Sequence, residues 1–331
     1  DLDYIARIFR TVVVLVEDYE LEYDINDLVS RGVKVIHKPT PDLDAPSLLE
    51  LHVLLSEIHG SEKPVLVHCY GGIGRSGTVA TAYLMYRDGL GYEEALKKSR
   101  SVDPSFVESF SQERILRLYS SVLKKLSRES LSKLIEIARR HDFNGDENHG
   151  SKHVSRVLEL SIEISSQLRD LGILELNEES EKILYSAAIL HDIGKSIDPG
   201  DRHRVLGYEL IKRYSEEINS ALEGLYSDKI ALVAKYHGEE EVTENLDREL
   251  LALIAILRVA DALAYNYVDE DVREVILEKE TSDTLLARVH GYLCFENIER
   301  ASRKSLLLKR LLGRELIFLN QCFGGYPHPH D

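Results

Sequence analysis

The chain has 331 residues, 44% of them hydrophobic, and a formal net charge of -16. This length exceeds what one small core needs and favours two domains. The acidic charge argues against nucleic acid or an anionic membrane surface as the main partner. No apolar stretch approaches the roughly 20 residues that span a bilayer. The three cysteines, Cys69, Cys294 and Cys322, are too few for a disulfide framework.

The first third of the chain alternates predicted strands with predicted helices. β-Branched, apolar runs predict strands at 9–16, 33–39 and 64–69. Helical spacing of apolar residues predicts helices at 23–31, 47–59, 75–87, 92–101 and 105–126. This alternation indicates an α/β domain whose central, mostly parallel sheet is flanked by helices. Because the sequence begins abruptly, with an apolar run only about ten residues in, we also expect that an upstream strand is missing from it.

The pattern changes near the Ser- and Lys-rich segment 123–130, whose composition indicates either a linker or a helix that bridges two domains. Nearly every segment from 131 to 267 has helical periodicity, which indicates an all-α domain. A small α+β extension follows, with paired strands at 274–280 and 284–291, a helix at 297–313 and a last strand at 314–320. We therefore predict domains at 1–126 and 130–268, an extension at 269–322 that packs on the second domain, and a disordered tail at 323–331.

The sequence HCYGGIGRSG at 68–77 lies between a predicted strand and a predicted helix. Such a loop can point its N–H groups at a phosphate dianion and stabilise a cysteine thiolate. We expect Cys69 to be the nucleophile, Arg75 to grip two phosphate oxygens, and Ser76 to donate a hydrogen bond to the sulfur. The loop residues expected to bind phosphate are Tyr70, Gly71, Gly72, Ile73, Gly74 and Arg75.

On these residues the region from 1 to about 122 resembles the protein tyrosine and dual-specificity phosphatase superfamily. The resemblance implies cofactor-free hydrolysis of phosphate monoesters through a phosphocysteine intermediate. It also implies a general acid on the loop KPTPDLDAPS at 38–47, where Asp42 is the first choice and Asp44 the alternative. His68 is expected to shape the loop by hydrogen bonding.

The substrate expected from this resemblance is a phosphorylated protein or a small phosphate ester, because positions 70–74 carry no Lys or Arg. A working thiolate at Cys69 requires a reducing compartment, so we expect the protein to be cytoplasmic. Neither nucleic acid nor a membrane is an expected partner.

A second set of polar residues lies on three predicted helices of the all-α region. His153 opens one helix, the pair His191–Asp192 ends another within ILHDIGK at 189–195, and Asp261 lies on a third. Imidazole and carboxylate groups from separate helices can converge on a divalent metal in a bundle core. This donor set suits Mn, Fe, Ni, Co or Mg better than a closed zinc site.

These four residues resemble the H…HD…D signature of the HD phosphohydrolase superfamily. The resemblance puts His203, in RHRVLGYELI at 202–211, and His237, in KYHGEE at 235–240, forward as ligands of a second metal, and Lys195 as a phosphate contact. Residues from about 130 to 320 also resemble the carboxyl-terminal part of exopolyphosphatase/guanosine pentaphosphatase proteins.

The sequence thus predicts a cysteine phosphatase fused to a metal-dependent HD phosphohydrolase. The alternative is that the HD region only binds a ligand and regulates the phosphatase. A phosphate ester is the expected substrate class of both, since both sets of residues have the chemistry to bind and hydrolyse phosphate esters.

Overall fold

The computed structural model describes residues 2–141, 149–265 and 271–322. It divides into two compact units, Asp1–Ser121 and Val122–Asp331. Within the described ranges, every helix falls short of the length and apolar character that crossing a bilayer requires. The tail predicted at 323–331 lies outside the described residues.

The first unit is built on a three-stranded parallel sheet in the order β2-β1-β3. The strands are β1 (Thr11–Val14), β2 (Lys34–His37) and β3 (Val65–His68). The helices are α1 (Leu2–Ile8), α2 (Ile25–Ser30), α3 (Leu48–Gly60), α4 (Gly74–Asp88), α5 (Tyr92–Arg100) and α6 (Phe110–Leu123), with a 3-10 helix at Asp18–Glu20.

The central strand explains why this sheet forms. β1 is a run of β-branched residues, and every one of its side chains is buried, as expected for a strand covered on both faces. Its last residue, Val14, lies beside His68, the last residue of β3. Because the strands are parallel, their carboxyl ends share one edge, and the loop that follows β3 begins there.

The strands and helices of this unit confirm the predicted α/β class, with shorter elements than the patterns indicate. α6 begins at Phe110 instead of residue 105, because residues 101–109 form turns. The short helix α1 was not predicted. In α3, the amide of Ser47 donates to Glu50 Oε2, which caps the helix where the sequence placed its start.

The second unit is a helical bundle followed by a small sheet. Its helices are α7 (Arg128–Arg139), α8 (His149–Asp170), α9 (Glu178–Leu190), α10 (His203–Arg213), α11 (Ser215–Leu222), α12 (Ser227–Lys235), α13 (Arg248–Leu263), α14 (Phe295–Lys304) and α15 (Leu306–Leu312), with a 3-10 helix at Ile193–Ser196. Its strands are β4 (Asp271–Lys279), β5 (Thr284–Tyr292) and β6 (Glu315–Asn320).

Helix α13 is the centre of this bundle. It is apolar around almost its whole circumference and nearly all of its residues are buried, which marks a helix surrounded by others. Helices α8, α9, α12, α14 and α15 all pack against it. Side chains that point from these helices toward α13 therefore meet in a space from which water is largely excluded.

The α+β extension has the predicted order of elements. Strands β4 and β5 form the antiparallel pair, and β6 adds in parallel to β5. The predicted helix at 297–313 is in fact two helices, because the chain breaks at Ser305 between α14 and α15. The extension packs on the bundle through α14 and α15 against α13, and through β4 against α8.

The cysteine count did not predict a disulfide, but the structure contains one. Cys294, just before α14, is bonded to Cys322, which follows β6. This bond ties the start of α14 to the end of the small sheet. Cys69 is left as the free cysteine.

Gly194 allows the close approach of the 3-10 helix Ile193–Ser196 to α10. A methyl group built on Gly194 would collide with the carbonyl oxygen of His203 and would lie 2.5 Å from the amide nitrogen of Gly207. A methyl group on Gly207 would meet its nearest neighbour, the carbonyl oxygen of His191, at 3.5 Å, an ordinary contact. Only Gly194 is therefore required by packing at this crossing.

We predict that Gly194→Ala lowers the free energy of unfolding of the second unit by about 2 kcal/mol, the usual scale for overpacking. Gly207→Ala should be neutral or slightly stabilising, because Ala favours a helix interior over Gly. Urea unfolding followed by helical circular dichroism measures both variants. Equal losses in the two variants would contradict this account of the crossing.

Candidate functional sites

The first candidate site is the loop between β3 and α4. Cys69 follows directly after β3, and α4 begins at Gly74, five residues later. The backbone N–H of Gly72 donates to Cys69 Sγ at 3.2 Å, so the loop curls around the sulfur. Gly72 has a φ of 74°, a left-handed conformation that glycine adopts without strain. The thiol thus lies at the N-terminus of a fifteen-residue helix.

The pKa of the Cys69 thiol is lowered in this position. Burial by itself raises the pKa, but the nearby hydroxyl and backbone N–H of Ser76, the hydrogen bond from the N–H of Gly72 and the charge of Arg75 together outweigh it. Each of these groups stabilises a negative sulfur. The arrangement therefore favours the thiolate, which is the nucleophilic form.

The guanidinium group of Arg75 is buried and held by two elements of the same unit. Its Nη1 donates to Glu20 Oε2 at 2.6 Å and to the carbonyl oxygen of Thr40 at 2.8 Å, and its Nη2 donates to Glu20 Oε1 at 2.8 Å. The hydrogen bond from Arg75 lowers the pKa of Glu20. This paired contact fixes the plane of the guanidinium group.

The Nε of Arg75 remains without a hydrogen-bond partner among the described residues, although it is buried. A buried N–H without an acceptor is costly. An anion bound beside Cys69 would supply the acceptor.

The two candidate general acids lie in different surroundings. Asp42 has a side chain that is 66% exposed, and its Oδ1 is 3.4 Å from Arg75 Nη2. Asp44 instead holds its loop against α6, because its Oδ1 accepts hydrogen bonds from Ser111 Oγ at 2.5 Å and from the backbone N–H of Ala45 at 2.9 Å. Asp42 is thus the carboxylate that faces the arginine.

The remaining loop residues differ in exposure. Tyr70 is 72% exposed, and Gly71 is exposed as well. Ile73 is half-buried, and Gly74 and Ser76 are buried in the first turn of α4. Gly74 has no space for a side chain, since a methyl group there would lie 2.5 Å from Glu108 Oε1 and 2.8 Å from Gln112 Nε2. The loop is therefore packed tightly at its helical end.

His68 precedes Cys69 and is held by hydrogen bonds on both ring nitrogens. Its Nε2 is 2.7 Å from the hydroxyl of Tyr23, and its Nδ1 is 3.2 Å from the carbonyl oxygen of Cys69. Because a carbonyl oxygen only accepts, Nδ1 carries the proton. Burial lowers the pKa of His68, so the ring is neutral at pH 7 and fixes the backbone at the start of the loop.

The second candidate site lies in the core of the helical unit. Among the described residues, two groups of three side chains have ligand atoms within 4.8 Å of one another. One group is His153, His191 and Asp192, and the other is Asp192, His203 and His237, so Asp192 belongs to both. All five side chains are buried.

Each histidine of this centre presents the same ring nitrogen. In every ring Nδ1 lies within hydrogen-bond distance of a backbone carbonyl oxygen, which only accepts, so Nδ1 is the donor. The distances are 3.0 Å from His153 to Ala264, 2.9 Å from His191 to Ala188, 2.6 Å from His203 to Gly200 and 2.6 Å from His237 to Ala234. The Nε2 atoms are thereby left to face the centre, as in histidines that bind metals.

The Nε2 atoms point at one another in two pairs. They are 3.3 Å apart in His153 and His191, and 3.2 Å apart in His203 and His237. Two neutral imidazole lone pairs repel at this distance unless a proton or a cation lies between them. Each pair is therefore suited to share one positive ion.

Two aspartates complete the donor set. Asp192 Oδ2 lies 3.3 Å from His153 Nε2, and Asp192 Oδ1 lies 3.5 Å from His203 Nε2, so one carboxylate spans both pairs. Asp261, on α13, adds Oδ1 at 3.3 Å from His153 Nε2. Asp192 Oδ1 is buried and accepts no hydrogen bond among the described residues. An oxygen in that state fits a metal ligand.

Two lysine ammonium groups contact the carboxylate groups of Asp192 and Asp261. Lys195 Nζ is 2.5 Å from Asp192 Oδ2, and Lys304 Nζ is 2.6 Å from Asp261 Oδ2. Burial opposes the charged form of these aspartates, yet the pKa values of both fall well below the usual value because of the cations and imidazoles around them.

The histidines respond to the same charges. Burial lowers the pKa of His191, but the two aspartates outweigh burial and raise the pKa to about 9. The pKa of His153 is raised for the same reason. His203 and His237, which lie farther from the carboxylates, have lowered pKa values because burial dominates. The carboxylates therefore attract positive charge most strongly to the pair His153 and His191.

Within the first unit, the structure places Asp42, Ser76 and Arg75 near Cys69. Within the second unit, it places the four histidines, Asp192, Asp261 and Lys195 around one buried centre, and the roles of these residues stay predictions. The structure adds two residues that the sequence analysis missed, Glu20 and Lys304. Glu20 stands in an ordinary acidic stretch, and Lys304 is one of several basic residues in an amphipathic helix. The three-residue and four-residue spacing of Asn297, Ala301 and Lys304 marks the buried face of α14 and is the one signal that could have singled out this lysine.

Comparison with known proteins matches each unit to a different family. Residues 32–122 match the model "Dual specificity phosphatase, catalytic domain", and residues 150–266 match the model "HD domain". The predicted resemblance of residues 130–320 to exopolyphosphatase/guanosine pentaphosphatase proteins stays a prediction.

Three similar proteins each cover about a third of this chain. Cyclin-dependent kinase inhibitor 3 of Sus scrofa is 31% identical over 111 residues, which is 31% of this chain and 52% of that protein. Human dual specificity protein phosphatase 12 is 28% identical over 124 residues, which is 36% of each protein. The crystal structure of Tk-PTP in the active form is 48% identical and covers 36% of this chain and 83% of that one, with a TM-score of 0.35.

The chain spans between 36% and 65% of the length of the first three curated relatives. The family matches fall on the two regions that hold the two candidate sites. The chain thus carries one region that matches a dual specificity phosphatase catalytic domain and a second region that matches an HD domain.

Proposed function

We propose that the first unit hydrolyses phosphate monoesters with Cys69 as nucleophile, and that the HD domain is a second, metal-dependent phosphohydrolase. The observation that carries the first proposal is the position of Cys69 at the start of α4, where the backbone N–H of Gly72 donates to its sulfur, beside the buried guanidinium group of Arg75. A thiolate and a fixed arginine on one short loop match the needs of phosphoryl transfer.

In the first step, the Cys69 thiolate attacks the phosphorus atom. An S–P bond forms while the P–O bond to the leaving group breaks, and Asp42 gives its proton to the departing oxygen. The loop N–H groups and Arg75 stabilise the charge on the transferring phosphoryl group. The exposed side chain of Asp42, whose Oδ1 is 3.4 Å from Arg75 Nη2, supports this assignment over Asp44.

In the second step, water attacks the phosphocysteine. The Asp42 carboxylate takes a proton from this water, a P–O bond forms, and the S–P bond breaks to release phosphate and the thiolate. Ser76 donates its hydroxyl hydrogen bond to the departing sulfur, in keeping with its lowering effect on the pKa of Cys69. Glu20 is the positioning residue that holds the guanidinium plane of Arg75.

Asp42→Asn should slow hydrolysis by about 100-fold or more for an alkyl phosphate, and much less for p-nitrophenyl phosphate. The reason is that an alkoxide needs a proton to leave, whereas p-nitrophenolate is a good leaving group. Steady-state kcat/KM on the two substrates measures the difference.

Asp44→Asn is the matched control, because an amide oxygen can still accept the hydrogen bond from Ser111. Its effect should be small and independent of the leaving group. If Asp44→Asn instead showed the leaving-group dependence, Asp44 would be the acid.

The lowered pKa of Cys69 has a direct consequence for alkylation by iodoacetamide. A free cysteine, with a pKa of about 8.5, loses reactivity tenfold for each unit of pH below that value. Cys69 should keep its reactivity down to its own lower pKa, so its rate at pH 7 relative to pH 9 should exceed that of glutathione. Peptide mass spectrometry of Cys69 gives the rate.

Ser76→Ala removes one of the groups that lower the pKa of Cys69. In this variant, as the pH is lowered, the reactivity of Cys69 toward iodoacetamide should begin to fall at a higher pH than in the wild type. A wild-type profile that follows glutathione would contradict the proposed thiolate.

The HD centre fits a pair of divalent metal ions. We propose that His153, His191, Asp192 and Asp261 hold one ion, and that Asp192, His203 and His237 hold the other. The imidazole and carboxylate donors suit Mn, Fe, Ni, Co or Mg. When bound, such ions supply Lewis-acid activation of water and of the phosphate. The chain contributes the Nδ1 contacts to backbone carbonyls that fix each ring, and Lys195 as a contact for the phosphate.

Protein purified after exposure to Mn²⁺ should contain about two ions per chain. Asp192→Ala should lose both, because this carboxylate belongs to both groups. His203→Ala combined with His237→Ala should lose one. Elemental analysis after dialysis gives the counts.

His141→Ala serves as the control, since His141 contacts Ser196 and Tyr214 and not the centre. A wild type without bound metal would contradict the metal centre.

A non-catalytic HD domain that binds a ligand and regulates the phosphatase is the second candidate. It is favoured by Lys195 and Lys304, whose positive charges balance those of Asp192 and Asp261 without a metal. In that case Asp192→Ala would change the phosphatase kinetics of the full chain in the presence of a nucleotide or polyphosphate, and no hydrolysis would depend on Mn²⁺. Under the first proposal, a Mn²⁺-dependent hydrolysis would persist in Cys69→Ser.

A further inference from the structure

Lys304 reaches the HD centre from outside the matched HD domain. It is the last residue of α14, in the α+β extension, whereas the HD domain match ends at residue 266. Helix α14 packs on α13, which carries Asp261, and it turns Asn297, Ala301 and Lys304 inward. The lysine is 7% exposed, so its ammonium group is buried.

The ammonium group of Lys304 contacts both parts of the centre. Nζ donates to Asp261 Oδ2 at 2.6 Å and to the carbonyl oxygen of His237 at 3.2 Å. The other oxygen of Asp261, Oδ1, is the one that lies 3.3 Å from His153 Nε2. The carboxylate is therefore shared, with one oxygen toward the metal position and one toward Lys304.

A buried ammonium group beside a cation site needs a reason. Burying a charge is costly, and a positive charge this close to a bound metal ion repels it. Asp261 offsets part of this cost. A phosphate dianion bound at the centre would offset more, since it is attracted to the metals and to the lysine together. The two contacts use two of the three N–H groups of the ammonium, which leaves one to donate to a phosphate oxygen.

We propose that Lys304 is a phosphate-binding residue of the HD centre, so that the α+β extension completes the substrate site. This inference rests on the proposed metal centre. The ligand class is a phosphate or phosphate monoester, and Lys304 and Lys195 bind it from the sides of Asp261 and Asp192 respectively. The extension is then a catalytic part of the second unit as well as a structural one.

The test measures binding of Mn²⁺ and of inorganic phosphate separately, in the full chain. Equilibrium dialysis gives the affinity for Mn²⁺. Broadening of the phosphorus NMR signal by bound Mn²⁺ then reports only the phosphate near the metal, and so excludes phosphate held at the Cys69 loop. A sample with Mn²⁺ and phosphate but no protein corrects for their direct complex.

In Lys304→Met, phosphate affinity should fall about tenfold or more, in line with the loss of a charged hydrogen bond. Affinity for Mn²⁺ should stay the same or rise, because the repelling charge is gone. Lys304→Arg should keep phosphate affinity within a few-fold. Lys309→Met, which alters an exposed pair with Glu315, is the matched control and should match the wild type.

The opposite pattern would overturn the inference: phosphate binding retained in Lys304→Met while Mn²⁺ binding falls would make Lys304 only a support for Asp261. If circular dichroism shows that Lys304→Met is unfolded, Lys304→Gln replaces it, with the same two expectations. Absence of Mn²⁺ from the wild type would instead refute the proposed metal centre, and is seen before any variant is compared.

Discussion

The stabilisation of a negative sulfur at the start of α4 is the interaction on which the account of the first unit depends. Burial alone would keep the Cys69 thiol protonated, and the hydrogen bond from Gly72, the polar groups of Ser76 and the charge of Arg75 reverse that preference. The parallel sheet makes this possible, because β3 ends at the sheet edge and the chain turns at once into a helix. The same turn places Arg75 where Glu20 and Thr40 can hold it.

The second unit also buries ionisable groups, but its centre attracts positive charge. Its buried centre concentrates two carboxylates and four imidazoles, and Lys195 and Lys304 partly balance them. Each imidazole is oriented by a backbone carbonyl, so the geometry comes from helix ends and not from side-chain contacts that could rearrange. In both units a site is built where helices begin or end, since unpaired backbone groups are found there.

Sequence patterns could predict the parts of these sites that lie on local motifs. The strand, loop and helix around Cys69 are contiguous, and the glycines mark the turn, so the positions of the proposed nucleophile and of Arg75 on one loop were predictable. His153, His191, Asp192 and Asp261 were predictable as a set because His153 and Asp261 lie on helices with clear apolar periodicity and His191 and Asp192 directly follow a third. The general acid was narrowed to Asp42 or Asp44, and the contact of Asp44 with Ser111 is a tertiary fact that no local pattern carries.

The residues that escaped prediction all depend on long-range packing. Glu20 meets Arg75 across 55 positions of sequence, and Lys304 meets Asp261 across 43. Neither lies in a motif, and an acidic residue in a loop or a lysine on a helix is ordinarily a solvated surface group. The bond between Cys294 and Cys322 was missed for the same reason, because the approach of α14 to the end of β6 is set by the small sheet.

The most direct test of the central claim is to trap the covalent intermediate. The full chain is mixed with p-nitrophenyl phosphate, quenched within the first turnovers, and digested for peptide mass spectrometry. The account predicts one phosphoryl group on Cys69 and none on the corresponding peptide of Cys69→Ser, which should also lack turnover of this substrate in the absence of added metal. Steady metal-free turnover by Cys69→Ser, or a phosphoryl group on another residue in the wild type, would contradict it.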